Sequence, residues 1–221
     1  MKVIHKRIED VKTNGKWVSY HSEYFDGVQI LSTTNAQALY NNVIRRCDKD
    51  SIFVERFPTY TACSFDFVDF QDFAEWCNSS SGYMNKDDAG KVWCLDKDVL
   101  IPSNKSYNPE TCCFVPQYVN NSLLFGSAES IHPIGVSKIS GRSKRYAARC
   151  TSLEGRKHIG SFPTPMSAHH AWQLAKIQHL KEVIYKYSCE TSVRKDVVEA
   201  LSMRVDKLQE EYKSGNETLS I

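Results

Sequence analysis

The chain has no apolar run long enough to cross a bilayer and no signal-peptide pattern over Met1–Asp10. A membrane span is therefore not expected, and a cytoplasmic setting is. Cysteine spacing is equally uninformative of metal: the cysteines at 47, 63, 77, 94, 112, 113, 150 and 189 nowhere form C-x-x-C, so a zinc ribbon is not expected. Most sit inside apolar runs, where a reduced thiol behaves as a small core residue, and a cytosolic setting argues against disulfides. The phosphate loop G-x-x-x-x-G-K-[ST], the nucleophile elbow G-x-S-x-G and the zinc-protease H-E-x-x-H are all missing, which removes their chemistries. No internal repeat is visible.

What is present is an ordinary globular composition with an uneven charge. Hydrophobic residues make up 41% and charged residues 24%, enough for one or two domains with a real core. The net charge is only +2, but Ile134–Lys186 holds ten basic residues against two acidic ones. That segment carries +8 and the remainder −6, an asymmetry that points one part of the chain at a polyanion.

In the first third, Lys16–Tyr20 and Val28–Leu31 read as short strands, and Asn35 as the cap of a helix over 36–46. Leu39, Val43 and Cys47 form its apolar stripe, leaving Arg45 and Arg46 beside it, either as phosphate contacts or as cations complementing the helix dipole. Between Pro58 and Tyr83 aromatics are dense. Phe70, Phe73 and Trp76 recur at helical spacing, which predicts core packing rather than base stacking.

The stretch Trp93–Leu124 organises the rest. A strand over 92–95 runs into Asp96-Lys97-Asp98, a Pro/Ser/Asn/Lys loop follows, then a strand over 112–115 and a short helix from about Pro116 carrying Asn120. Strand, loop, strand and helix, with a carboxylate at one end and an amide on the helix, suit one hard divalent ion such as magnesium. On a regular strand Asp96 and Asp98 would share a face and Lys97 would point the other way.

This segment resembles the active-site finger of the HNH (His-Me finger) endonucleases of phage-borne homing enzymes. Asp96 matches the metal Asp, Asn104-Lys105 the turn, Pro109–Pro116 the second-strand run and Asn120 the ligand on the helix. The resemblance implies a ββα-metal nuclease domain, with magnesium or manganese held by Asp96 and Asn120. The departure is at the general base, where the family's His is replaced by Lys97. That leaves Lys97 or Asp98 for the catalytic position, Lys97 otherwise being a phosphate contact and Asp98 a second ligand.

From Pro133 the character changes. Gly135–Ile139, Arg145–Cys150 and Arg156–Phe162 read as three strands, and Thr164-Pro165 as the cap and first turn of a helix to about Tyr187. The patterns G-V-x-K, Y-x-A-R, K-x-I-G-x-F and T-P-x-x-A-x-x-A-W-x-x-A-K over Ile134–Lys181 resemble the Apetala-two/ethylene-response-factor DNA-binding domain. In that family a three-stranded sheet packed on a helix lies in the major groove of double-stranded DNA. Alternation puts Arg145, Ala147 and Arg149 on one face, the candidate DNA face, with Arg142, Lys144, Arg156 and Lys157 around it. His169-His170 has no partners at metal spacing. A last helix over about 192–213 carries an apolar stripe that is expected to pack on its own domain, and Ser214–Ile221 reads as frayed.

The expectation is an α+β chain: a nuclease domain over 1–126 with its finger at 92–124, a hinge at Gly126–Ser130, a DNA-binding domain over 131–187, and a C-terminal helix and tail over 189–221. Its function would be site-directed, metal-dependent DNA cleavage by a monomer or weak homodimer. The alternative is a non-catalytic, sequence-specific DNA-binding protein with a decayed finger.

Overall fold

The structure, a computed structural model, describes residues 34–124, 131–139, 141 and 146–221, with the backbone alone of four two-residue strands before them. Helix and sheet are mixed, as an α+β chain requires. The chain divides into two units, one of Met1–Tyr83 with Leu95–Phe114 and one of Met84–Cys94 with Val115–Ile221. The division thus passes through the 92–124 segment rather than at the expected hinge, Gly126–Ser130, which lies outside the described residues. No helix among the described residues is long and apolar enough to cross a membrane.

In the first unit, β1 (Lys12–Thr13) pairs with β2 (Lys16–Trp17) and β3 (Tyr24–Phe25) with β4 (Val28–Gln29). Helix α1 (Thr34–Cys47) begins before Asn35, so Asn35 lies inside it rather than capping it. The stripe is also displaced: Ala36 and Val43 are buried, while Leu39 and Cys47 are only half-buried. Helix α2 (Ile52–Arg56) comes next, capped by Ser51. Strand β5 (Ser64–Phe65) precedes α3 (Phe70–Ser79), whose cap Asp69 accepts the Asp72 N–H. Phe67, Phe70 and Phe73 are buried, Tyr40 meets Phe70 edge-on, and Trp76 stacks on Phe114 at 5.4 Å. The aromatic run is core, and it extends onto the later strands. Strand β6 (Cys94–Asp96) pairs with β8 (Cys113–Val115), and β7 (Ser106–Tyr107) runs parallel to β5.

The second unit is built on a sheet of β9 (Val136–Lys138), β10 (Tyr146–Ser152) and β11 (Gly155–Phe162), in the order β11-β10-β9 and antiparallel throughout. Helix α5 (Pro165–Ser188) starts at the expected Thr164-Pro165, with Thr164 and Ser167 capping each other's backbone. Trp172 is the keystone. A Cβ at Gly135 would lie 2.0 Å from its indole, and Gly135 holds φ +80, so this position needs glycine on both counts. Helix α4 (Gln117–Ser122) also belongs here. The buried Lys176 of α5 donates to the Ser122 carbonyl at the end of α4, placing a cation at the negative pole of that helix. Burial pushes the Lys176 ammonium down and, with Lys176 beside it, the His179 imidazole down to about 4.

Helix α6 (Lys195–Lys213) packs on α5 through Val197, Leu201, Val205 and Leu208. The tail beyond it is not frayed. Ile221 is 6% exposed within the core that contains Trp172 and Leu180, and Thr218 is fully buried. The Thr218 backbone N–H donates to His169 Nε2 at 2.9 Å, so the other ring nitrogen, Nδ1, carries the proton and donates to the Ile134 carbonyl at 2.9 Å. Gln173 Nε2 adds bonds to the Asn216 carbonyl and Thr218 Oγ1, both at 3.0 Å. The apolar C-terminal Ile and the buried His explain each other, because the tail supplies a donor that the ring requires.

Two outcomes are expected. Ile221→Ala removes buried aliphatic carbon and should lower stability by about 2–4 kcal/mol in urea unfolding. Burial holds the His169 imidazole below its ordinary value. Its contribution is therefore full above the unfolded-state value of about 6.5 and lost as pH falls through the lower folded value. An unfolding series from pH 7.5 to 4.5 should show that loss for the native chain and a flatter profile for His169→Gln.

Candidate functional site: a carboxylate turn and an arginine-bearing sheet

In the first unit, β6 ends at Asp96 and the chain bends. The expected alternation of Asp96, Lys97 and Asp98 therefore fails, because the strand does not continue. Asp96 is 8% exposed, and its Oδ1 accepts the backbone N–H groups of Asp98 at 2.8 Å and Val99 at 2.9 Å. A carboxylate that caps its own turn bends the backbone back on itself, a short-range device available to Asp but not to Glu, whose extra methylene overshoots.

Asp96 and Asp98 are also hydrogen-bonded through their side chains. Burial and the negative charge of Asp98 push the Asp96 carboxyl up to about 6. Burial works against Asp98 too, but the bond from Asp96 and the Lys97 charge overcome it and hold Asp98 below the usual carboxylate range. Below about pH 6 it is therefore Asp96 that holds the proton and donates it to Asp98. The Asp98 side chain is 44% exposed, so the pair has one buried and one accessible member.

Lys97 is not free to act as a base. It is 7% exposed, and its Nζ donates to Asp98 Oδ2 at 2.9 Å and to the Asn104 carbonyl at 2.8 Å. Asn104 returns the contact, its Nδ2 donating to the Lys97 carbonyl at 2.7 Å, to the Ser106 carbonyl at 2.8 Å and to Thr111 Oγ1 at 3.0 Å. Its Oδ1 accepts the Ser106 N–H at 3.0 Å. Asn108 repeats the device, accepting the N–H groups of Glu110 and Thr111, both at 2.9 Å. Asn104, which the sequence marks as the turn, and Thr111, which it places in the second-strand run, are thus site builders, and Asn108 is a further one that the sequence does not single out. The available signal is two asparagines in a loop, the residue type that most readily satisfies nearby backbone.

Among the described residues no three of His, Cys, Asp and Glu converge on one point. Two carboxylates sharing a proton nonetheless fit a small hard cation. Such an ion takes one or two protein carboxylates and completes its shell with water and phosphate oxygen, and its charge would replace the proton. Asn120 lies on α4 in the second unit, where its Nδ2 donates to Cys94 Sγ at 3.4 Å and Cys94 Sγ in turn donates to the Val115 carbonyl at 3.3 Å.

The sheet of the second unit has a helix side and an open side. Tyr146, Ala148 and Cys150 of β10 join the core with Trp172. Ala147, Arg149 and Thr151 alternate with them; Arg149 and Thr151 are exposed, as the alternation predicts, whereas Ala147, expected on the same DNA-facing side, is fully buried. On β11 the pairing passes from Ala148–Gly160 to Arg149–His158, leaving Ile159 as an extra residue. That bulge reverses the phase of the strand. Arg156, opposite Thr151, and His158, opposite Arg149, fall on the open side. Lys157, opposite Cys150, falls on the helix side, where it pairs with Glu154 at 2.7 Å and lines a groove with Lys181 and Glu182. Lys157 is therefore set apart from Arg149, against the grouping the sequence suggests, and His158 joins it instead. Arg149 and Arg156 have no acidic partner among the described residues. Arg142, Lys144 and Arg145 lie outside the described residues.

Set against protein families, curated proteins and solved structures, the chain matches none.

The turn generates two measurements. In metal-free protein at pH 8 the buried Asp96 is ionised against its preference. Its raised folded value makes its contribution favourable at low pH and lost as pH rises through about 6. Asp96→Asn, which keeps the acceptor oxygen, is expected to raise Tm at pH 8 and leave it nearly unchanged at pH 5. Asn104→Ala strands the Lys97 and Ser106 groups and should cost about 2–4 kcal/mol in denaturant unfolding.

Proposed function

We propose that the chain is a site-directed, metal-dependent DNA endonuclease of the HNH kind. The observation that carries this reading is the pair of neighbouring carboxylates, Asp96 and Asp98, on a turn closed by Lys97 and Asn104. Along the sequence the strand β6, the loop, the strand β8 and the helix α4 follow one another in the order of a ββα-metal finger. Asp96 and Asp98 would hold magnesium or manganese, and Asn120 enters as a further ligand through the resemblance alone. A bound divalent ion supplies a Lewis acid that polarises a phosphoryl oxygen and stabilises the leaving 3′ oxygen. The chain's own residues do the rest. Lys97 donates to two oxygens and holds the turn in register, so it is a positioning residue rather than a base. Where Asp98, half-exposed, is not the second ligand, it is the group at this turn placed to take a proton from an attacking water.

DNA recognition would fall to the open face of the sheet in the second unit. Arginines there pair with guanine edges or with phosphate, and their lack of acidic partners among the described residues leaves their charge for the nucleic acid. Arg149, Arg156 and His158 form the described part of that surface, and Arg142, Lys144 and Arg145 belong to the same proposal through the sequence. Lys157, paired with Glu154 on the helix side, is the weakest member of the set.

One observation favours a second reading, a sequence-specific DNA-binding protein without catalysis. Where the resembled family has its basic His, the Lys97 ammonium is committed to Asp98 and Asn104. Supercoiled DNA incubated with magnesium or manganese separates the two. Metal-dependent nicking, reduced on the order of 10²-fold or more in an Asp96→Ala/Asn120→Ala variant, supports the nuclease. DNA shifted in a gel but cut under neither metal supports the binding protein. In both readings Arg149→Ala should weaken binding and reduce the slope of log affinity against log salt by about 0.9.

A further inference from the structure

Arg46 stands in the last turn of α1, in the same unit as the carboxylate turn. It is half-buried. Its Nη1 donates to the hydroxyl of Tyr107 at 3.1 Å, and its guanidinium carbon lies 5.2 Å from the centre of the Tyr60 ring. Tyr107 is only 2% exposed, and the centre of its ring is 6.0 Å from Lys97 Nζ. One aromatic ring thus braces two cations, Lys97 against its face and Arg46 at its hydroxyl. The likeness between the two cations ends there. Lys97 has Asp98 as counter-charge, whereas Arg46 has no carboxylate partner among the described residues. The groups that act on it most strongly are Tyr107, Tyr60 and Cys63, none of them a carboxylate. Its Nε is buried and has no acceptor. Arg45, next to it, offers the contrast: bonded to Asn42 and stacked over Phe53 at 4.6 Å.

A guanidinium withdrawn from water without an anion is costly, and an arrangement that holds one rigidly between two tyrosines serves a ligand that brings the negative charge. The planar fork matches a phosphate, which can accept two parallel N–H bonds. The links from Asp98 Oδ2 to Lys97 Nζ (2.9 Å), from Nζ to the Tyr107 ring centre (6.0 Å) and from the Tyr107 hydroxyl to Arg46 (3.1 Å) keep Arg46 within a few nucleotides of the turn, at a rise of ~3.4 Å each along one strand.

We propose that Arg46 binds a backbone phosphate of the DNA strand flanking the bond cut at the Asp96–Asp98 turn, about one to three nucleotides from it. This rests on the nuclease reading above and extends it, since it makes the first unit a DNA-binding surface in its own right. Tyr60 and Tyr107 are the positioning residues, holding the guanidinium flat and aimed.

The test uses the full chain as wild type, Arg46→Gln and Arg46→Lys. Affinity for a 30-base-pair duplex is measured by fluorescence anisotropy in calcium across a salt series, and cleavage kinetics in magnesium or manganese. With the cut position mapped on plasmid DNA, single neutral methylphosphonates are then placed at each flanking phosphate. The proposal expects Arg46→Gln to lower the salt slope by about 0.9 and to raise KM several-fold with kcat nearly unchanged. Arg46→Lys should restore the slope but not the whole of KM. One methylphosphonate within three nucleotides of the cut should slow the wild type and leave Arg46→Gln unaffected. An unchanged slope in Arg46→Gln overturns the proposal, as does a wild-type profile indifferent to every flanking methylphosphonate, a result that needs no variant to fold. Wild-type protein that binds but never cuts defeats the nuclease reading instead, and the salt slope alone then decides whether Arg46 contacts DNA.

Discussion

A carboxylate taken out of water must be satisfied by whatever is nearest, and Asp96 is satisfied by the next two backbone N–H groups along the turn, those of Asp98 and Val99. That single constraint sets the geometry of the first unit's site. Because Asp96 accepts from both, the strand stops at Asp96, and Asp98 turns back alongside it. The two carboxylates are then paired, burial and Asp98 pushing Asp96 up while Asp96 and Lys97 hold Asp98 low. Lys97, displaced from strand alternation by the same bend, is directed inward to Asn104. Lys97 offsets the charge of Asp98 but leaves the buried Asp96 without a cation of its own, which ties the metal-binding reading to the electrostatics of the turn.

The second unit answers a different constraint, the need to bury one face of a small sheet. Trp172 fills that role, and Gly135 and His169 are its neighbours, one by having no Cβ and the other by stacking at 5.3 Å. His169 then joins Ile134, just ahead of β9, to the returning tail at Thr218, so the sheet, the long helix and the last residues form one hydrogen-bonded assembly. A frayed tail is the natural expectation for Ser-Gly-Asn-Glu-Thr-Leu-Ser. It fails because the chain leaving α6 at Lys213 turns back across α5, where Gln173 and His169 offer partners to its backbone.

Much of the local structure is legible in the sequence because it depends on local chemistry. The Thr164-Pro165 pair caps and starts a helix, the spacing of Phe70, Phe73 and Trp76 makes an apolar face, and the alternation in β10 separates Arg149 from Cys150 without reference to anything else. The face of β11 is not legible in this way. One bulged residue, Ile159, inverts the phase, sending Arg156 and His158 to the open side and Lys157 toward α5. A bulge is a response to the partner strand and to the helix beneath it, and no feature of R-K-H-I-G by itself announces it. Nor can the fate of Lys97 be read from its neighbours, since its acceptor at Asn104 is brought up by the loop.

By itself, then, the sequence determined the α+β class, the three strands and the capped helix after Pro133, the aromatic core around Phe73, and the presence of acids and an amide in the stretch from Trp93 to Leu124. These arise from periodicity, capping and residue type, all of which act over a few residues. Tertiary structure alone decided that the Asp96 carboxyl would be pushed up and the Asp98 carboxyl held low, that Lys97 would be a clamp, and that Arg46 would stand behind Tyr107 without a carboxylate among the described residues. Each of these depends on burial and on partners far along the chain, and burial is what turns an ordinary titratable side chain into one with a fixed role.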